Sequence, residues 1–191
     1  MAFCEKILVP RVLCDEIFYI EDNEFAIPVG EIPVPPGSEI SGVVTVTVLE
    51  CNPRIDLELN AIFADLVFMI QKELVIEPPE GEGLPIPLEF GFRFDSTVQF
   101  RKCTPLEMQA INPDFLEDVV CHVVYVFGLD EVTVNPSTVD PVTGELLNDA
   151  TIDEELTIQI KLKLLQDRQL IMSLCDPTQG VDIDIETPNN G

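Results

Sequence analysis

The chain contains no tryptophan, one histidine and two tyrosines, and its ten lysines and arginines face 35 aspartates and glutamates, a formal net charge of −25 at pH 7. Each shortage excludes something. With no cationic spot denser than Arg101-Lys102, the surface repels phosphate backbones and anionic headgroups. Neither nucleic acid nor direct binding to an anionic membrane is therefore expected. A sugar-stacking platform lacks its usual aromatic material. No Gly-rich phosphate loop, G-x-S-x-G elbow or H-E-x-x-H helix occurs. Carboxylate pairs are plentiful, but among 35 acids some reach glycosidase spacing by chance. The expectation is a protein that is not an enzyme, with no catalytic residues and no cofactor. Long apolar runs are missing too: Ala61 to Ile70 contains Asp65 and is too short to cross a bilayer. The opening residues lack a basic stretch followed by an unbroken apolar one, because Pro10 and Arg11 interrupt them. This does not read as a secretory leader.

What is present is apolar. Of the 191 residues 46% are hydrophobic, and mean hydropathy is +0.24 despite the charge. A disordered acidic segment is poor in such residues, so this chain folds and sorts acid and apolar side chains onto separate faces. The sorting has a period of two. Leu88, Phe90, Phe92, Phe94, Val98 and Phe100 alternate with Glu89, Arg93, Asp95 and Gln99. Leu156, Ile158, Ile160, Leu162 and Leu164 alternate with Thr157, Gln159, Lys161 and Lys163, and Ile55, Leu57 and Leu59 with Asp56, Glu58 and Asn60. Such alternation marks half-buried antiparallel strands. Val43 to Val48 is Val and Thr throughout, which favours strand. Val119 to Phe127 is apolar on both faces and reads as a central strand.

In 62–76 both helical and strand spacings fit; Pro78-Pro79 and the β-rich surroundings favour strand. The clear helical candidate is a turn at Pro105 to Ala110. Prolines and glycines mark loops at Glu77 to Gly83, Asn112 to Asp114 and Asp140 to Gly144. The predicted fold is all-β, a two-sheet antiparallel sandwich with jelly-roll or Greek-key connections and an extended N-terminal arm. Residues 1–37 form the arm and a Pro-rich spacer, 38–176 the sandwich body and 177–191 an acidic C-terminal tail.

Cysteine supplies the most specific signal. There are six, Cys4, Cys14, Cys51, Cys103, Cys121 and Cys175, with no C-x-x-C pair, so neither structural zinc nor a thioredoxin-like motif is expected. Cys121 and His122 are neighbours on a predicted strand, so they point to opposite faces and cannot form a thiolate–imidazole pair; Cys121 reads as a buried structural thiol. The other five lie at predicted strand ends or on the arm, where disulfides between subunits or from arm to body could form. Free thiols in a reducing cytosol are the alternative. Asp182, Asp184 and Glu186 place three carboxylates on one side of an extended tail. They are weak candidates for calcium, the one metal whose oxygen chemistry they suit, without the spacing of an EF-hand loop.

The segment Glu39-Ile40-Ser41-Gly42-Val43-Val44-Thr45-Val46-Thr47-Val48, and the closing Leu164 to Cys175, resemble the SPOCS-type β domain of clostridial and bacillar spore-coat morphogenetic proteins. The resemblance implies a spore-surface structural protein, made in the mother cell without a signal peptide and cross-linked through cysteine after release. The resulting expectation is a self-assembling subunit of a spore-surface layer or an extracellular filament, reaching that location without a Sec signal and with itself as partner. The arm would add its Ile7, Val9, Val12 and Leu13 to a neighbour's sheet edge, and Cys4 and Cys14 would lock the joint. A virus or phage structural protein, or a monomeric calcium-dependent binding or adhesion module, are the alternative readings.

Overall fold

The computed structural model describes residues 4–30, 33–81, 83–111, 119–143 and 145–173. The strands are β1 (Cys4–Gly30), β2 (Glu39–Asp56), β3 (Ala61–Glu77), β4 (Ile86–Phe100), β5 (Val119–Asn135), two short ones, β6 (Thr138–Val139) and β7 (Leu146–Asn148), and β8 (Ala150–Ser173). One helix, α1 (Pro105–Ile111), follows β4. It starts where the sequence places it. Thr104 and Glu107 form a reciprocal cap, the Glu107 carboxylate accepting from the Thr104 N–H at 3.2 Å and the Glu107 N–H donating to Thr104 Oγ1 at 3.4 Å, with Pro105 in the first turn, where no amide is needed.

Two three-stranded antiparallel sheets carry the molecule, in the orders β1-β8-β5 and β2-β3-β4. The second is a meander. In the first, the opening strand runs against the last, from Cys4 opposite Ser173 to Gly30 opposite Ala150. The sheets pack face to face as a sandwich. β8 contributes Leu156, Ile158, Ile160, Leu162 and Leu164 to the core, and β3 contributes Ile62, Ala64, Leu66, Phe68 and Ile70. The segment with two possible periods is thus a strand, because β2 and β4 pair with its backbone on both sides and the facing sheet buries every second residue.

Several expectations change, among them the strand over Ile55 to Asn60, which ends at Asp56 and gives way to a turn over 57–60. The N-terminal arm is not free, since its backbone bonds go to β8 of its own chain. Leu13 packs against the core, Val9 and Val12 stay exposed, and Ile7 pairs with Leu170. The Pro-rich stretch is also more than a spacer. Val34 is fully buried, and Ser137 holds it from both sides, accepting from the Val34 N–H at 2.6 Å and donating to the Val34 carbonyl at 2.9 Å. Finally, β5 is an edge strand. The apolar residues on its second face, among them Val120, Val124, Phe127 and Leu129, are exposed and not covered by another layer.

Candidate functional site

Strand parity puts three charges into the core. On β3 the inward residues are the even ones, and Lys72 falls between Ile70 and Leu74 on that face. On β8 the same parity brings Glu154 inward between Ile152 and Leu156. On β5 a bulge between Val123 and Tyr125 shifts the parity, so that Asp130 faces the other sheet. Lys72 comes from one sheet and the two carboxylates from the other. Its Nζ lies 3.1 Å from Asp130 Oδ2 and in contact with Glu154 Oε1, and the three side chains are 0, 7 and 3% exposed.

The surroundings are apolar on the β4 side. Phe90 and Phe92 hold their ring centroids 5.9 and 5.8 Å from Nζ, within cation–π range. Burial pushes the Lys72 ammonium to a lower pKa than usual; Asp130, and more weakly Glu24 and Asp22, work against that shift. Among the described residues, Nζ, both Asp130 oxygens and Glu154 Oε2 have no partner in hydrogen-bonding geometry. One ammonium against two carboxylates leaves an excess negative charge in a buried place. A buried ion costs several kcal/mol unless it is paired and hydrogen-bonded.

Close packing of two edge strands brings Asp130 there. A Cβ on Gly128 would meet Val46 Cγ2 at 2.7 Å and Val44 Cγ1 at 3.3 Å, so glycine is what allows β5 to lie against β2 just before Asp130. A cleft between these edges, lined by Ser41, Gly42, Leu74, Gly128, Asp130 and Val132, opens beside the carboxylate.

The opposite end of the sandwich is fixed covalently. Cys14 on β1 joins Cys103 just after β4, with Cα atoms 6.2 Å apart, and Cys51 on β2 joins Cys121 on β5 at 5.6 Å. Cys14 and Cys121 flank the same β8 residue, Leu164. The two disulfides therefore bind sheet to sheet at opposite edges of one cross-section. Of the two expectations for these cysteines, Cys14–Cys103 meets the arm-to-body one, and the subunit-joint one is corrected for Cys14, Cys51 and Cys103; Cys121 is a disulfide partner and not a free thiol. The physical reason is register, which stacks strand ends distant in sequence directly over one another. Beside Cys103, the buried carboxylate of Glu16 accepts from the Arg101 and Lys102 N–H groups at 2.9 and 3.2 Å, and Phe18 meets Phe100 edge to face at 5.1 Å. Cys121 and His122 do face opposite ways, the histidine outward.

The remaining sequence candidates are not brought together. Cys4 is placed only through its backbone pairing with Ser173. Cys175, Asp182, Asp184 and Glu186 lie outside the described residues. Among the described residues no three His, Cys, Asp or Glu side chains converge as metal ligands, and no helix is long and apolar enough to cross a membrane. On the outer face of the second sheet, Asp65 accepts from Thr97 Oγ1 at 2.8 Å and Arg54 Nε at 3.2 Å. These bonds, Thr97 first, hold its carboxyl below the usual range. The outer face of the first sheet sets mostly apolar and aromatic side chains of β1 and β5 on either side of polar residues of β8, in the rows Ile17–Lys161–Tyr125, Tyr19–Gln159–Phe127 and Glu21–Thr157–Leu129. Tyr19 is 66% and Phe127 51% exposed.

Comparison with protein-family models, with curated proteins and with solved structures finds no match to this chain. The fold is an antiparallel β-sandwich braced by disulfides, a bonding pattern that belongs to a non-reducing setting.

Proposed function

We propose that the chain is a structural subunit of an extracellular or spore-surface layer or filament, stiffened within each copy and packed against others. The observation that carries this reading is the pair of inter-sheet disulfides at opposite edges of one cross-section. Such bracing opposes sliding and splaying of the sheets, the motions a load-bearing subunit must resist. The resemblance of Glu39 to Val48 and of Leu164 to Cys175 to spore-coat β domains supports the same setting.

The outer face of the first sheet is the packing surface. Beside its exposed apolar side chains stand Lys161 and Lys163, two of only ten lysines and arginines in the chain, and both lie within ion-pair distance of Asp15. The two lysines offset acidic charge around Asp15, which lowers the cost of bringing two strongly acidic copies together there. Cys4 and Cys175 remain for covalent joints between copies. Cys4 pairs through its backbone with Ser173, at one end of the β1–β8 ladder.

Replacing both Tyr19 and Phe127 by Lys tests the surface. The double variant is expected to keep the β circular-dichroism spectrum and both disulfides while losing higher oligomers in sedimentation. Unchanged assembly would remove this face from the proposal.

A further inference from the structure

The buried cluster has the composition of a condensation site. An amine and a carboxylate from different sheets lie 3.1 Å apart, a second carboxylate touches the amine, and aromatic rings wall the β4 side. Among the described residues Asp130 has no hydrogen-bond donor in good geometry and its one close polar neighbour is Lys72 itself, so converting that carboxylate into an amide with Lys72 sacrifices only the interaction the new bond replaces. We propose that Lys72 and Asp130 join in an intramolecular amide bond, formed by the chain on itself, with Glu154 as the proton-transfer group.

The chemistry balances without an added reagent. The reaction begins from the form of the cluster in which Glu154, the more deeply buried carboxyl, carries one proton. Glu154 protonates one Asp130 oxygen and takes a proton from Nζ, leaving a neutral amine beside an uncharged carboxyl. The Nζ lone pair attacks Asp130 Cγ and forms the new C–N bond. The C–O bond to the protonated oxygen then breaks, and that oxygen leaves as water after a second proton passes through Glu154. In sum, one ammonium and one carboxylate become one secondary amide and one water, with no change of oxidation state. The cleft between β2 and β5 beside Asp130 gives the water an exit.

Two effects drive the reaction forward in this place. Holding the amine within 3.1 Å of a carboxylate oxygen replaces a bimolecular encounter with a positioned one. Burial penalises the ammonium and the carboxylate far more than the amide, and the depressed basicity of Lys72 enlarges the fraction of reactive amine. Gly128 acts as a positioning residue, since a side chain there would push β5 off Val46 and carry Asp130 away from Nζ. The product ties β3 to β5, adding a third inter-sheet link at the end of the sandwich away from the disulfides. Because the bond lies within one copy, it stands or falls separately from assembly.

The test is the intact mass of the full chain, denatured and fully reduced. The expected value lies about 18 Da, one water, below the mass calculated from its sequence. Digestion at acidic residues should then yield a branched peptide joining Lys72 to Asp130. Glu154→Gln, which keeps the shape and removes the proton transfer, should appear at its full calculated mass. Should that variant fail to fold, the wild-type mass and branched peptide decide alone. A folded wild type at full mass overturns the proposal. A branch ending on Glu154, or a linked Glu154→Gln chain, overturns the assignment of roles.

Discussion

Glu16 shows how a single acidic side chain can be structural in so acidic a chain. It is buried on β1 and accepts two backbone N–H groups at the exit of β4. Glu16→Ala leaves both donors without this partner, and about 1–3 kcal/mol of stability should be lost in urea titration. Other carboxylates set the acid limit. Asp65 is held low by Thr97 and then Arg54, Asp140 by the Val142 and Thr143 amides, and Asp153 by the Ala26 amide and then Asn135. A carboxyl depressed in the folded state stabilises above its unfolded pKa and loses that contribution as pH falls through the folded value. Thermal midpoints should therefore be flat above about pH 5 and fall as the pH drops below about 4. A midpoint that rises on acidification would contradict these assignments. The buried charges were legible in part. Lys72 shares parity with Phe68 and Ile70, and Glu154 with Leu156, so extending the alternation by one step exposes both. Asp130 was hidden, because the bulge after Val123 reverses the parity that the sequence displays.

Strands were the most readable elements, since alternation in β4 and β8 follows directly from having one face on a core and one in solvent. Partners were not readable. Which strand pairs with which depends on non-local register, so the first strand could be recognised as extended but not assigned to its own β8. The same gap hid the disulfides, whose partners are 89 and 70 residues apart. The exposed apolar face of β5 also misled, because a strand apolar on both sides is equally consistent with a central strand and with an edge strand that presents a packing surface. Two outcomes follow at this scale. Deleting residues 1–15 removes half of β1 along with Cys14, and the product should lose cooperative unfolding; a folded, cooperative monomer would return these residues to the role of a free arm. Reduction of the two disulfides should cost about 4 kcal/mol each, from the loops they close, read as a lower denaturant midpoint. A midpoint insensitive to reductant would contradict the bracing role.

At the scale of the molecule, the charge of −25 sets when copies can meet. Like-charged surfaces repel over about 30 Å at 0.01 M salt and about 10 Å at 0.1 M, so assembly through the outer face of the first sheet should be suppressed at low ionic strength. Salt should release it, and calcium more so per ion because it is divalent. The sequence made this acidic character plain. It did not reveal where the charge is relieved, because Lys161 and Lys163 become neighbours of Asp15, Tyr125 and Phe127 only once β8 is placed between β1 and β5. The most direct measurement is sedimentation velocity of the oxidised chain from low to physiological salt, with electron microscopy of the same samples. The account expects a monomer at low salt that converts to large, regular filaments or sheets as salt or calcium is raised. A monomer that persists under every condition would contradict it.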